Sequence, residues 1–324
     1  MMRATRFACG LVFTCTLCPA IAAERAYPTR PIRIVDPFPP GGPSDIVGRS
    51  LSQKLTEALG QTVVVDNRGG ASGIVGCEIV ANAAPDGHTL LLGPSGALTI
   101  QPTLNPKLPY DPQRDFETVS QLTSGPQVIA VNSAVPAKSV QDLIALAKAK
   151  PGQLNYASGG AGTANHLAAE VFRLAAGVNI VHIPYKGTGP ALTSVLSGES
   201  QMIVSSLLPA LPHVKSGKLR ALAVTSTSRS GAVPDVPTAS ESGLPKFETS
   251  SWHGILVPAK TPRAIITRLH GELIKVLNLP DVRERLTVQG LNVVASTPQE
   301  FAAYIKSETV KYARVIKQAG IKPE

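Results

Sequence analysis

Cysteine and long apolar runs are scarce in this chain of 324 residues. It has 4 cysteines, of which Cys9, Cys15 and Cys18 lie in the first segment, so Cys77 alone remains beyond residue 23. A single cysteine excludes an intramolecular disulfide and a zinc site built from cysteines. After residue 23, no stretch reaches the roughly 20 apolar residues that a membrane-spanning helix requires. The sequence therefore predicts neither a disulfide scaffold nor a membrane span in its main part.

Clusters of charge are missing as well. The formal net charge is +9, but neither a run of Lys and Arg nor a basic pattern interleaved with aromatics accompanies it. Such patterns are typical of nucleic-acid binding, which is therefore not predicted. A diffuse positive field would instead steer small anions towards a cleft.

The first 23 residues are typical of a secretory signal peptide. Arg3 and Arg6 form a basic start, residues 7–19 form a short apolar segment, and residues 20–22 (Ala-Ile-Ala) form a small-x-small cleavage site. We predict export with cleavage near Ala23. An uncleaved anchor is the alternative, but the apolar run is shorter than a bilayer span requires.

The stretch at 32–59 has the pattern of a strand, a Gly/Pro turn and a helix. It starts with an apolar β-rich run, and apolar residues recur at helical spacing towards its end. Between them, Gly41 and Gly42 let a ligand approach the backbone, and Ser44 or Asp45 is predicted to cap the helix. The unpaired N–H groups of such a junction favour an anion. The loop has neither the Lys-Ser/Thr of a P-loop nor the three spaced glycines of a dinucleotide site, so we predict a carboxylate.

Alternating strand and helix patterns continue along the chain and predict an α/β fold. The next strand, helix and strand are predicted at 61–66, 73–84 and 88–93. A similar set begins with a strand at 126–131 and a helix at 139–150 that Ser139 is predicted to cap, and a last helix is predicted near 298–319. We predict two lobes, each a doubly wound and mostly parallel sheet, that face each other across a cleft. Lobe 1 comprises 24–124 plus 248–324 and lobe 2 comprises 125–247; one large doubly wound domain is the alternative.

A second glycine-rich junction lies at 158–166. Thr163 can cap the helix that follows, and Gly160 and its neighbouring glycines leave amides open. If the lobes face each other, this helix terminus opposes the first, and the two hold a carboxylate without any Arg. Two ordinary glycine turns are the alternative. His166 is either a ligand contact or a packed helix residue, and Tyr185 offers a ring and a hydroxyl to the cleft.

The sequence carries no strong signal for catalysis, a cofactor or a metal. Ser95 lies in Gly-Pro-Ser-Gly-Ala, which lacks the last Gly of the hydrolase pattern Gly-x-Ser-x-Gly. Its candidate partners, His166 or His253 with Asp45, do not have the spacing of a triad. The 6 histidines show no metal-site spacing. We predict no cofactor and no metal, and an exported hydrolase that uses Ser95 is an alternative.

Ten short motifs stand in register along the chain. They lie at 27–35, 37–45, 60–68, 85–87, 108–112, 160–167, 184–187, 216–225, 234–238 and 252–254. The second is Pro-Phe-Pro-Pro-Gly-Gly-x-x-Asp and the sixth is Gly-x-Gly-Thr-x-x-His-Leu. Together they resemble the solute receptors of tripartite tricarboxylate transporters, the Bug (Bordetella uptake gene) or TctC-like family.

The resemblance implies a periplasmic receptor with the two-lobe, type II-like binding-protein fold and two crossovers. Such a receptor captures a small carboxylate (a di- or tricarboxylate, an aromatic acid or an acidic amino acid) and hands it to a membrane carrier. A sensor that presents its ligand to a signalling protein is the alternative, and a monomer is the expected state. The site residues implied by the resemblance and by the two loops are Phe38, Pro40, Gly41, Gly42, Ser44, Asp45, Ser95, Ser158, Gly160, Thr163, His166, Tyr185 and Ser205.

Three places depart from the family pattern or vary within it. Pro40 stands where Ala is commoner, the filling of the first loop at Pro43 and Ser44 differs among relatives, and the pair Ser205 and Ser206 is a variable position. The resemblance therefore implies the class of ligand but not its identity.

Overall fold

The computed structural model describes residues 27–245 and 247–321, so the predicted signal peptide lies outside the described part. No helix in this part is long and apolar enough to cross a membrane. The strands are β1 (Ile32–Asp36), β2 (Val63–Asn67), β3 (Thr89–Pro94), β4 (Phe116–Asn132), β5 (Asn155–Ser158), β6 (Val181–Pro184), β7 (Met202–Ser206), β8 (Leu219–Val224), β9 (Ser250–Pro258) and β10 (Asn292–Val293). The helices are α1 (Pro43–Leu59), α2 (Ile74–Ala81), α3 (Gln101–Leu104), α4 (Val140–Ala149), α5 (Ala164–Ala176), α6 (Thr188–Ser197), α7 (Leu207–Lys215), α8 (Arg263–Leu277), α9 (Pro280–Val288) and α10 (Pro298–Ala319).

Two sheets share the long strand β4. In the first sheet, β2, β1 and β3 are parallel, and β9, β4 and β10 add antiparallel pairings. In the second sheet, β6, β5 and β7 are parallel, and β4 pairs antiparallel with β7 on one side and β8 on the other. The α/β prediction is confirmed. The sheets are mixed rather than mostly parallel, because the pairings of the shared strand β4 and of β9 with their neighbours are antiparallel.

The chain leaves the first sheet along β4 and returns to it at β9, and the two crossings lie next to each other. The first part of β4 pairs with β9 as far as Pro126, which lies opposite Ser250, and from Gln127 onwards β4 pairs with β7 and β8. The outgoing and returning crossings are therefore side by side. The predicted lobe boundaries lie within a few residues of this place and remain a prediction.

Helices cover both faces of each sheet. On the first sheet, the buried stripe of α1 packs with α8, and Trp252 and Phe301 pack on the opposite face. On the second, Phe172 of α5 packs with α4, and Leu192 of α6 packs with α7 on the other face. Burying one such side chain contributes about 1.5–3 kcal/mol. Each sheet thus has its own core, which holds the loops at its strand ends in fixed positions.

Several elements differ from the sequence prediction: α3, α9 and β10 were not expected, and β4 and α7 differ for identifiable reasons. Strand β4 starts at Phe116 rather than at 126, because its first part pairs with β9, a segment more than 120 residues away. Helix α7 was not predicted, because Pro209 and Pro212 interrupt its pattern. Pro normally ends or kinks a helix, but burial of Leu207 and Leu211 keeps this one in place.

Candidate ligand-binding site

The first glycine loop joins β1 to the N-terminus of α1. Gly42 is the N-cap, Pro43 occupies the first helical position, and no side chain caps the helix. The predicted cap at Ser44 or Asp45 is therefore wrong: both lie inside the first turn, because the fixed φ of Pro suits the start of a helix. Without a side-chain cap, the first-turn N–H groups of α1 remain available to a ligand.

The second glycine loop joins β5 to the N-terminus of α5. Thr163 caps this helix, as predicted, and its Oγ1 accepts a hydrogen bond from His166 N at 3.4 Å. Its hydroxyl also lies 2.6 Å from Gly160 O. Gly160 and Gly162 have φ values of +116° and +72°, which Gly adopts at little cost. The loop therefore turns sharply into the helix and keeps Thr163 in place.

The two loops face each other across a narrow gap. A Cβ atom on Gly96, in the loop after β3, would lie 3.0 Å from Ala164 N and 3.1 Å from Thr163 Cα. Nearby, Gln101 Nε2 donates a hydrogen bond to Ala161 O at 2.9 Å. These contacts join the segment after β3 to the second glycine loop and the N-terminus of α5.

A small cavity lies between these loops. Its volume is about 40 Å³, which exceeds the roughly 10–15 Å³ that one water requires and suits a group of carboxylate size. No Lys, Arg, Asp or Glu is among the residues that line it. The lining residues are Phe38, Gly42, Pro43, Ser44, Pro94, Ser95, Gly96, Gln127, Thr163, Ala164, Asn165, Thr188, Ser206, Ser251 and His253.

Four buried polar atoms on the cavity wall have no hydrogen-bond partner in the described structure. They are Gln127 Oε1, Asn165 Nδ2, Ser206 Oγ and His253 Nδ1. Each of these side chains is at most 5% exposed. Buried polar groups are almost always hydrogen-bonded, and an unpaired one costs about 1–3 kcal/mol. Their convergence on one cavity indicates that a polar group completes their hydrogen bonds there.

The histidine in this wall is neutral at physiological pH. Burial lowers the pKa of His253 to about 4, because removing the imidazolium from water is unfavourable and no carboxylate lines the cavity beside it. The cavity therefore offers helix-terminal amides and neutral side chains rather than a formal positive charge.

Five of the thirteen predicted site residues line the cavity, and eight do not. The five are Phe38, Gly42, Ser44, Ser95 and Thr163. The eight outside it are Pro40, Gly41, Asp45, Ser158, Gly160, His166, Tyr185 and Ser205. Ligand contact by any of the thirteen remains a prediction, and the structure places the second group elsewhere for local reasons.

In the second loop, the residues outside the cavity support the loop itself. Ser158 Oγ lies 2.6 Å from His182 Nε2 and accepts a hydrogen bond from Gly160 N at 3.1 Å. His166 Nδ1 accepts from Gly162 N at 3.2 Å, and its ring lies 4.3 Å from that of His182. His166 is therefore packed against its own loop and against His182. Of the two alternatives given for His166 from the sequence, this is the packed helix residue; ligand contact remains untested.

The other predicted residues outside the cavity lie in the first glycine loop, in the first turn of α1, directly after β6 and on β7. Asp45 accepts hydrogen bonds from Gly41 N at 3.0 Å and Arg49 Nε at 2.9 Å, so it stabilises the first turn of α1. Pro40, Gly41 and Tyr185 line a separate surface groove. Ser205 points to the opposite face of β7 from Ser206, because successive strand residues alternate.

Ten of the fifteen cavity residues were not among the predicted site residues, and the six of them with polar side chains are Gln127, Asn165, Thr188, Ser206, Ser251 and His253. Gln127, Ser251 and His253 lie on the two crossing strands, which sequence patterns identify as strands without indicating which face meets the cleft. Asn165 and Thr188 lie at the starts of α5 and α6. A polar residue at a helix start next to a glycine loop was the one local signal that could have indicated them.

The hydrolase alternative lacks a complete set of residues. Ser95 and His253 line the same cavity, but no carboxylate residue lines it with them. Across the described residues, no hydrogen bond of the Ser95 hydroxyl to a histidine is present, and no group of three or more His, Cys, Asp or Glu is arranged to hold a metal.

Comparison with known proteins gives the family. The model of the tripartite tricarboxylate transporter family receptor, TctC, matches residues 47–321. The chain belongs to this family. It is 38% identical over 312 residues to Protein BugT of Bordetella pertussis, which covers 96% of this chain and 95% of BugT. The predicted family membership is therefore confirmed.

Solved structures show the same fold. The periplasmic binding protein BugD has a TM-score of 0.89 and 35% identity, over 92% of this chain and 100% of BugD. An R. palustris protein solved with adipate has a TM-score of 0.90 and 32% identity, over 92% of this chain and 100% of that protein. The receptor is thus an α/β protein with a periplasmic binding-protein fold.

Proposed function

We propose that this receptor binds a small carboxylate in the cavity between the α1 and α5 N-termini and delivers it to a tripartite tricarboxylate-type membrane carrier. The observation that carries the proposal is the set of unpaired polar atoms of Asn165, Ser206 and His253, which can donate hydrogen bonds into a cavity beside both helix termini. Family membership and the adipate held by a similar protein support the ligand class.

The chemistry of the wall suits an anion of low charge density. Each helix terminus contributes about 0.3–1 kcal/mol per favourable charge, and up to about 2 kcal/mol when partly buried. Neutral donors such as Asn165 Nδ2 and Ser206 Oγ add hydrogen bonds without the cost of burying a cation. A carboxylate would therefore accept hydrogen bonds from the donors that have no other partner, whereas Gln127 Oε1, which only accepts, would not bond to it.

We further propose that the lobes at 24–124 plus 248–324 and at 125–247 move as units about the crossing strands. Closure on the ligand would favour docking to the carrier, by the difference in ligand affinity between the open and closed forms. Cleavage near Ala23 and a monomeric periplasmic protein are part of this proposal.

The proposal is tested with the mature protein, refolded to remove any carried ligand. Melting temperatures are measured with mono-, di- and tricarboxylates, aromatic acids and acidic amino acids, adipate included. A ligand at one hundred times its Kd adds about 2.7 kcal/mol of stability, which raises the melting temperature clearly.

Two adjacent serines provide matched variants. Ser206→Ala removes a cavity hydroxyl and should weaken binding of adipate about tenfold, whereas Ser205→Ala removes one from the opposite face and should change it less than about twofold. Equal effects of the two would contradict the assigned cavity. If no carboxylate raises the melting temperature of the wild-type protein, the proposed ligand class is overturned.

A further inference from the structure

A buried carboxylate lies directly behind the cavity wall, at the end of β1. Asp36 is 0% exposed, and its Oδ1 accepts hydrogen bonds from Ser44 Oγ at 2.7 Å and Phe38 N at 3.1 Å. Its Oδ2 accepts from Asn67 Nδ2 at 3.1 Å. Ser44 is itself 1% exposed and lines the cavity. One hydroxyl therefore separates the Asp36 carboxyl group from the space where a ligand would lie.

The charge of Asp36 sets the direction of that hydroxyl. An ionised carboxylate only accepts hydrogen bonds, so the single hydroxyl hydrogen of Ser44 points at Asp36 and its oxygen lone pairs face the cavity. A carboxyl group protonated on Oδ1 donates to Ser44 Oγ instead. The Ser44 hydrogen is then free to point into the cavity, where it can donate to an anion.

The surroundings of Asp36 allow this exchange near neutral pH. Burial raises the pKa of Asp36 to about 7, against the lowering effect of the hydrogen bonds from Ser44 and Phe38. From α1, the Asp45 carboxylate raises the pKa further and the Arg49 guanidinium lowers it.

The remaining neighbours do not supply a competing charge. Cys77, on α2, faces Asp36 with a thiol whose pKa burial raises to about 12, so it is neutral. Arg68, directly after β2, donates its backbone N–H to Asp36 O, but its guanidinium pairs with Asp66 at 3.1 Å. Across the cavity, His253 is the other titratable group.

We propose that Asp36 is a positioning residue that takes up a proton when the cavity binds a carboxylate; the inference rests on the proposed function. A proton from solvent binds Asp36 Oδ1, and the Ser44 hydroxyl turns from Asp36 to the ligand, so that Asp36 O–H donates to Ser44 Oγ and Ser44 O–H donates to the ligand carboxylate. One negative charge enters the site and one is neutralised behind it. The cavity can therefore accept an anion without a lysine or arginine.

The ligand-free protein gives the first test. The unfolded Asp36 carboxyl group titrates near 3.8 and the folded one near a pKa of 7. Between these values the folded state holds the extra proton, so this group's contribution to stability falls as pH rises. In Asp36→Asn that contribution is absent, so its melting temperature should fall less between pH 5 and pH 8 than that of the wild type. Parallel melting profiles would overturn the inference without any ligand.

The second test is calorimetric binding of adipate, with malate as a second probe, between pH 6.5 and pH 8.5. In the wild type, the affinity should fall towards about tenfold per pH unit above pH 7, with close to one proton bound per ligand. In Asp36→Asn, whose side chain cannot ionise, the affinity should be nearly independent of pH over the same range.

Two further variants separate the roles. Ser44→Ala keeps Asp36 but removes the connecting hydroxyl, so binding should be weaker and its pH slope shallower than in the wild type. His253→Asn removes the other titratable group of the cavity and should keep the pH slope. If Asp36 had a merely structural role, Asp36→Asn would lower the affinity at all pH values and leave the pH slope unchanged.

The outcomes distinguish this inference from the proposed function. Binding of either probe by the wild type without a pH slope, or an unchanged slope in Asp36→Asn, would overturn the inference alone. Failure of the wild type to bind adipate, malate or any other carboxylate at any pH would overturn the proposed function, and the inference would fall with it.

Discussion

The two helix termini at the cavity both follow a strand and a glycine loop, but they differ in how the first turn is capped. The N-terminus of α1 has Gly42 as its cap, with no capping side chain, and its cavity hydroxyl belongs to Ser44, which is bonded to the ionisable Asp36. The N-terminus of α5 has Thr163 as its cap, and the Thr163 hydroxyl is bonded to Asn165 Oδ1. One terminus is thus linked to a buried acid, and the other is capped by a hydroxyl bonded to an amide oxygen.

This difference shows how a receptor can accept an anion without a buried cation. A cap such as Thr163 holds its hydroxyl on partners within its own loop. An uncapped terminus beside an acid leaves amides free and gives a wall whose hydroxyl can reverse direction. The following predictions test the contrast, from the largest expected effect to the smallest.

Gly96→Leu should push the N-terminus of α5 away from the cavity. The three nearest neighbours of a Cβ atom at this position all belong to residues 162–164 across the cleft, so the added side chain blocks closure without disturbing its own sheet. We expect adipate affinity to fall by at least about 100-fold, or about 3 kcal/mol, because the closed form becomes inaccessible. Calorimetry measures the affinity, and small-angle X-ray scattering measures closure.

Its control is Gly271→Leu in α8, where no heavy atom lies within 4 Å of an added Cβ. That variant should bind as the wild type does. Compaction with adipate in Gly96→Leu would contradict the assigned contact between Gly96 and the start of α5.

Thr163→Ala should remove the neutral cap of α5. Loss of a Thr cap costs about 1 kcal/mol of stability, and the loosened N-terminus should also weaken adipate binding. Ser139→Ala removes the matching cap of α4, far from the cavity. Urea unfolding should give similar losses for the two variants, while calorimetry should detect weaker binding only in Thr163→Ala; equal binding by both would place Thr163 outside the functional wall.

Asp45→Asn should have the smallest effect. Asp45 lies outside the cavity and pairs with Arg49, whose side chain is 55% exposed, so the lost interactions with Arg49 and with the helix dipole should cost about 0.5–1 kcal/mol. Adipate binding at pH 6.5 should stay within about twofold of the wild type. A large loss of affinity would restore Asp45 to the site, as the sequence alone suggested.

Local patterns predicted the elements whose signals are short-range. The predicted final helix, 298–319, agrees with α10, because Thr297 and Glu300 form a capping box and Gly320 ends the helix. The predicted cap at Ser139 is confirmed in the same way. The early part of β4 and the whole of α7 were missed, because distant pairing and burial stabilise them against their local pattern.

The candidate site divides along the same line. Ser44 and Thr163 could be predicted because both lie next to glycines at a strand-to-helix junction, a pattern within ten residues. Gln127, Ser206 and His253 could not, because they reach the cavity through strand pairing in sheets whose register depends on remote residues. Ser205 and Ser206 are neighbours on β7, and of the two only Ser206 lines the cavity, because successive strand residues face opposite sides of a sheet.

The sequence by itself determined the two glycine loops, the helices that follow them, the cores on which they rest and the family to which the chain belongs. Only the tertiary structure decided that the two helix termini meet, that the crossing strands contribute Gln127 and His253, and that Asp36 lies behind Ser44. The physical reason is range: backbone conformation and capping depend on neighbours in the chain, whereas burial, unpaired hydrogen bonds and a raised pKa depend on groups brought together from far apart in it.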